Sequence, residues 1–145
     1  MKNFFFLFLA LIAGCANPLY APENDPKGNS GQGTELSCLA QFRSGLCVSW
    51  AWEKLPTEEE FGSFTFKLYR DSATGKILED ISGLSVLLWM PGMGHGSSPI
   101  TLERLATGSY RATRVFFTMR GEWEIRFQSK EGQSLLDQAV QRIDF

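Results

Sequence analysis

The sequence predicts an all-β sandwich of about seven short strands. Three observations carry this expectation. From Leu36 onward, apolar and polar residues alternate with a period of two, the mark of strands buried on one face. Turn signals recur between the alternating runs. The only helical piece is Thr57-Glu58-Glu59-Glu60, too short to organise a core. Short strands with frequent turns describe an antiparallel sandwich of immunoglobulin-like type, with a barrel as the alternative. At 145 residues the chain has room for one such domain and not two.

The elements follow in chain order. Lys2 precedes the apolar run Phe4-Phe5-Phe6-Leu7-Phe8-Leu9-Ala10-Leu11-Ile12. A run of about ten residues is half the roughly twenty that cross a bilayer, so residues 1–14 read as a secretory signal peptide. It ends in Leu11-Ile12-Ala13-Gly14-Cys15, which resembles the lipobox of bacterial lipoproteins, with Ile12 where Leu is commoner. The resemblance implies that Cys15 is lipidated and becomes the first residue of the mature chain. Such a protein sits in the cell envelope, attached to the membrane by a lipid anchor without spanning it. Ala16 after the cysteine, rather than Asp, implies the outer membrane in a Gram-negative cell. Residues 15–35 are rich in Pro, Gly, Asn and Ser and read as the lipidated Cys15 followed by a flexible linker.

The sandwich domain is expected over residues 36–145. Cys38 and Cys47 remain as an even pair in an oxidising compartment and read as a disulfide. A staple closing so short a loop contributes about 2–3 kcal/mol by the loop-entropy model. A thiolate metal site is the rival reading, and it lacks both CxxC spacing and a nearby His. Val48, Trp50 and Trp52 then form one inward face. Phe64, Phe66 and Leu68 form the next. Val115, Phe117 and Met119 form another, and Trp123, Ile125 and Phe127 the last. Turns fall at Ala73-Thr74-Gly75-Lys76, Thr107-Gly108-Ser109, Arg120-Gly121 and Lys130-Glu131-Gly132.

Leu88-Trp89-Met90-Pro91-Gly92-Met93-Gly94-His95-Gly96 stands apart. It holds the chain's one histidine and two of its four methionines, in a loop shaped by Pro and Gly. A loop offers little core for a methionine to fill. Thioethers are soft, uncharged donors and imidazole is borderline, a set that suits Cu(I) better than Zn, Mg or Ca. Met119 joins them if residues 98–104 pair with 110–118 through the Gly108 turn. With Leu105 opposite Tyr110, Met119 falls opposite Gly96. Met90, Met93, His95 and Met119 are then the candidate metal ligands. A slip of one residue turns Met119 away, and Met90 and Met119 are both compatible with core positions.

Three pieces of sequence carry a resemblance: Met90-Pro91-Gly92-Met93-Gly94-His95, then Gly108-Ser109-Tyr110, then Phe117-Thr118-Met119-Arg120-Gly121-Glu122-Trp123. In this order and spacing they resemble the YtkA-like domain, related in appearance to FixH-like proteins, over residues 85–127. The resemblance implies an immunoglobulin-like sandwich, secreted or membrane-attached. Similar proteins occur in copper-handling and cytochrome-oxidase assembly contexts. The same residues also have a structural account, with Gly121 in a two-residue hairpin turn and Trp123 as a core residue.

Other chemistries find little support. A pI near 5.4 does not suit a nucleic-acid backbone. One histidine excludes sites built on two, and three cysteines exclude a four-thiolate zinc site. No Gly-x-Ser-x-Gly elbow is present, and no Gly-rich loop ends in Lys-Ser/Thr before a helix. Glu58-Glu59-Glu60 reads as a solvated run. The chain is therefore expected not to be an enzyme. Two functions fit: a lipid-anchored envelope module that binds Cu(I) for handling or delivery, or a non-catalytic interaction or structural lipoprotein with an envelope partner and no metal.

Overall fold

The computed structural model describes residues 36–145. The expected signal peptide of residues 1–14 and the expected lipidated Cys15 and linker of residues 15–35 fall outside the described residues.

The alternating runs form strands and set the core. Ten strands follow in order: β1 (Ala40–Gln41), β2 (Cys47–Lys54), β3 (Gly62–Ser72), β4 (Gly75–Leu78), β5 (Leu84–Met90), β6 (His95–Gly96), β7 (Thr101–Ala106), β8 (Ser109–Val115), β9 (Glu122–Glu131) and β10 (Ser134–Asp144). The sequence leads one to expect about seven. β1, β4 and β6 hold only two to four residues each, too few for alternation to register. Thr57 opens no helix, and its hydroxyl instead accepts the N–H groups of Glu59 and Glu60 in a local turn.

Every pairing is antiparallel. One sheet runs β1-β2-β3-β8-β7, with β4 also on β3, and the other runs β10-β9-β5-β6. The two sheets face each other through the predicted apolar faces. Phe64, Phe66 and Leu68 of β3 and Trp123, Ile125 and Phe127 of β9 are all essentially inaccessible to solvent. Phe127 meets Phe66 at 5.0 Å and Phe64 at 6.3 Å between ring centroids, so aromatic packing joins the sheets. This is the immunoglobulin-like sandwich that the alternation predicts.

β4 and the β7–β8 hairpin lie end to end along one edge of β3. Leu68 joins them: its N–H donates to Gly108 O at 2.8 Å and its carbonyl accepts Glu79 N–H at 3.0 Å. Gly108 has φ +60, and a Cβ there would lie 2.7 Å from both Glu79 N and Leu68 O. Only glycine closes this turn without moving backbone.

Asp80 ties the same junction. Its carboxylate accepts the Arg104 guanidinium at 2.6 Å, the Tyr110 hydroxyl at 2.6 Å and the Gly108 N–H at 2.8 Å. Arg104 first, then Tyr110 and Gly108, hold the Asp80 carboxyl well below the usual carboxylate range. Burial, with the bond to Asp80, pushes the Tyr110 hydroxyl up to about 12. The depressed carboxyl contributes stability above the unfolded-state value of about 3.9 and loses it as pH falls below that. Asp80→Asn is expected to lower the denaturation midpoint at pH 7. The gap between variant and parent should close as pH is lowered from about 4. Equal midpoints at pH 7 would remove Asp80 from the account.

Cys38 and Cys47 form the disulfide that the sequence suggests, with Cα atoms 5.1 Å apart. It encloses a turn that buries Phe42 and Leu46. Asp137 of β10 accepts the Arg43 and Ser44 N–H groups at 3.1 and 3.0 Å, fastening this turn to the second sheet. Just before it, the Leu36 carbonyl accepts the Tyr69 hydroxyl at 3.4 Å.

Candidate functional site

Pro91-Gly92-Met93-Gly94 forms a tight turn between β5 and β6. The N–H groups of Met93 and Gly94 both donate to Met90 O, at 3.2 and 2.9 Å. The turn sets Met90 directly opposite His95 across the strand pair. Directly opposed residues in an antiparallel pair share one face, so both side chains lie toward the sandwich interior. Met90 is buried and His95 half-buried, whereas Met93 at the tip is 61% exposed. His95 Nδ1 lies 3.2 Å from Gly96 O. A carbonyl can only accept, so Nδ1 is the donor in this contact, and in the neutral ring Nε2 is then the unprotonated nitrogen.

Residues 116–121 form the other wall by crossing from β8 in one sheet to β9 in the other. Phe117 is buried against Phe145 at 4.6 Å and Trp123 at 5.2 Å between centroids. The Ser97 hydroxyl donates to the Phe116 carbonyl, linking the crossing to the segment after β6. Gly121 pairs with Phe145 through two backbone bonds of 2.8 and 3.0 Å. The Met119 carbonyl accepts the Trp123 indole N–H at 3.0 Å, and the Met119 side chain is 41% exposed.

This corrects the predicted route to Met119. Tyr110 pairs with Arg104 rather than Leu105, and the β7–β8 ladder ends at Thr101 opposite Thr113. Gly96 pairs with Trp89, not with Met119. Arg114 has φ 60, and the β3–β8 register shifts between Gly62 and Ser63, so β8 ends at Val115. Arg120-Gly121 is consequently no hairpin turn but part of the crossing between sheets. Met119 nonetheless reaches the end of the sandwich that carries Met90 and His95. A Cβ on Gly121 would lie 2.9 Å from Met90 Cε, so the thioether arm of Met90 rests on the crossing. The His95 ring lies 6.4 Å from that of Trp123.

Met90, His95 and the Met119 segment are thus gathered, and Met93 stands outward from them. Among the described residues, no three His, Cys, Asp or Glu side chains gather as a metal site. Met90 and His95, the two side chains set opposite each other, offer one soft thioether and one imidazole, a pair that suits a soft monovalent ion better than a hard divalent one. Beside Met119 lies a cleft of about 270 Å³, lined by Phe116, Phe117, Arg120, Glu58 and Phe145 among others. The Arg120–Glu58 pair on it, at 3.2 Å, is exposed on both sides and adds little stability. The sequence marks Trp123 as a core residue, which it is, but does not foresee the bond from its indole to the Met119 carbonyl. The signal was the Met-x-Gly-x-Trp spacing, which places an indole donor four residues after a methionine carbonyl.

The fold and this end define the class: an immunoglobulin-like sandwich with methionines and a histidine on the β5–β6 hairpin. A family model described as YtkA-like matches residues 54–128, more than half of the chain, and the chain belongs to that family. The match reaches well upstream of the segment in which the resemblance is legible, taking in β3 and β4. No curated protein and no solved structure is similar enough to the chain to count as a match.

Proposed function

We propose that this chain is a cell-envelope Cu(I)-binding module, held to the membrane by a lipid on Cys15, that receives the ion and passes it on. The observation that carries the reading is the pairing of Met90 with His95, beside the crossing that bears Met119. Burying a thioether and an imidazole side by side at the end of a sandwich supplies soft donors in a partly water-excluded place. Exposure falls from Met93 at 61% through Met119 at 41% and half-buried His95 to buried Met90. Such a gradient suits stepwise exchange, with outer thioethers meeting the ion first and inner donors holding it. The role is binding and transfer rather than catalysis.

The test is Cu(I) affinity measured anaerobically against a chromophoric chelator, in the Cys15→Ser chain so that no free thiol competes. Tight one-to-one binding is expected, lost when Met90, Met93 and His95 are all replaced by Ala. Binding at background level, or unchanged in the triple variant, removes the metal. That result would favour the second reading, a metal-free interaction module, which the exposed Phe61 and Met93 and the cleft beside Met119 support. The anchor has its own check. Radiolabelled palmitate should enter the native chain in a lipoprotein-processing host and be absent from the Cys15→Ser chain. Equal labelling of both would refute lipidation at Cys15.

A further inference from the structure

We propose that Trp123 is a positioning residue for the Met/His end, holding Met119 in place through its backbone while its ring backs His95. The inference rests on the Cu(I) reading for what the site binds, but the positioning belongs to the metal-free chain. A buried indole N–H needs an acceptor, and here it takes the Met119 carbonyl at 3.0 Å. Trp123 itself is wholly buried and fixed against Phe117, so it is a rigid post. Its ring meets the His95 ring at 6.4 Å, nearly edge to face.

The 116–121 crossing is otherwise secured at its two ends, by Ser97 on Phe116 and by Phe145 on Gly121. Among the described residues, the hydrogen bonds made by 118–120 are the indole bond and the exposed Arg120–Glu58 contacts. Gly121, at φ +134, turns the chain so that the indole can reach back four residues. Met119 is a flexible side chain on an irregular segment, and ordering it on binding costs entropy. A pinned backbone removes part of that cost beforehand, which is preorganisation of a ligand. One indole thus connects the hairpin carrying Met90 and His95 with the crossing carrying Met119.

The test uses the Cys15→Ser chain in four versions: otherwise unaltered, Met119→Ala, Trp123→Phe, and both together. In the metal-free protein, labelled methionine methyl groups are followed by NMR. Trp123→Phe keeps a ring and deletes the N–H, so the Met119 resonance should move toward its unstructured position while that of Met93 stays. Cu(I) affinity is then measured by chelator competition. Each single change should weaken binding about tenfold, and the double change no more than either, because both remove the same placed ligand. An unmoved Met119 resonance, or losses that simply multiply, overturns the positioning while leaving Cu(I) binding in place. A moved resonance with no Cu(I) binding in any version overturns the metal reading, and with it the role assigned to Trp123. Should Trp123→Phe fail to fold, the unaltered chain decides. Its Trp123 indole N–H and Met119 methyl resonances should shift together and saturate at one Cu(I) equivalent, and an indole signal that stays still overturns the proposal.

Discussion

Phe127→Ala is expected to cost about 3–5 kcal/mol of folding stability, as large-to-small changes at inaccessible aromatic sites do. Phe127 is completely buried on β9 and contacts Phe64 and Phe66 of the opposite sheet. Its loss leaves a cavity at the point where the sheets are joined, and rigid strand ladders on both sides limit collapse into it. Against a typical margin of about 5–15 kcal/mol, that is a large share. Urea denaturation followed by tryptophan fluorescence measures it. Val140→Ala on the outer face of the neighbouring strand β10 serves as the control, since it is 36% exposed and should cost well under the core change. Similar losses at both positions would mean that the buried aromatic junction does not dominate.

The second large effect is expected at the disulfide. Replacing Cys38 and Cys47 together by Ala should cost about 2–3 kcal/mol, because an unfolded chain without the link recovers its loop entropy. The parent treated with reductant should move to the denaturation midpoint of the double variant, and the variant should not respond to reductant. The Asp137 bonds to Arg43 and Ser44 remain in the variant and keep the turn near its place, so the sandwich should still fold. A double variant as stable as the parent would show that packing of Phe42 and Leu46 suffices without the covalent link.

The parts legible in the sequence are those where one strand carries its own pattern. Phe64, Phe66 and Leu68, and likewise Trp123, Ile125 and Phe127, alternate and are buried as the alternation says. The Cys38–Cys47 link and the shaped turn around Met93 are equally local. β10 is less readable, because small Ala139 faces the core while Val140, Leu135 and Leu136 are exposed. Asp80 escapes notice because its partners lie 24 to 30 residues away along the chain. The hairpin register that would set Met119 opposite Gly96 is undone by the left-handed Arg114 and the early end of β8. The pairing of Met90 with His95 depends on where the intervening turn closes, which composition alone does not specify.

The hydrogen bond from Tyr69 to Leu36 marks where the N-terminal segment joins the sandwich. Tyr69 pairs with Cys47 near the far end of β3 from Gly62, and Gly62 pairs with Val115, where the crossing to Met119 begins. Seven residue steps of strand separate the two, about 23 Å at the usual rise. The molecule therefore has two poles, with chain entry at one and thioethers at the other. Any attachment made through the N-terminal segment grips the pole remote from Met93 and Met119. A tether fixed at Leu36 would therefore leave the end that carries Met90, His95 and Met119 uncovered.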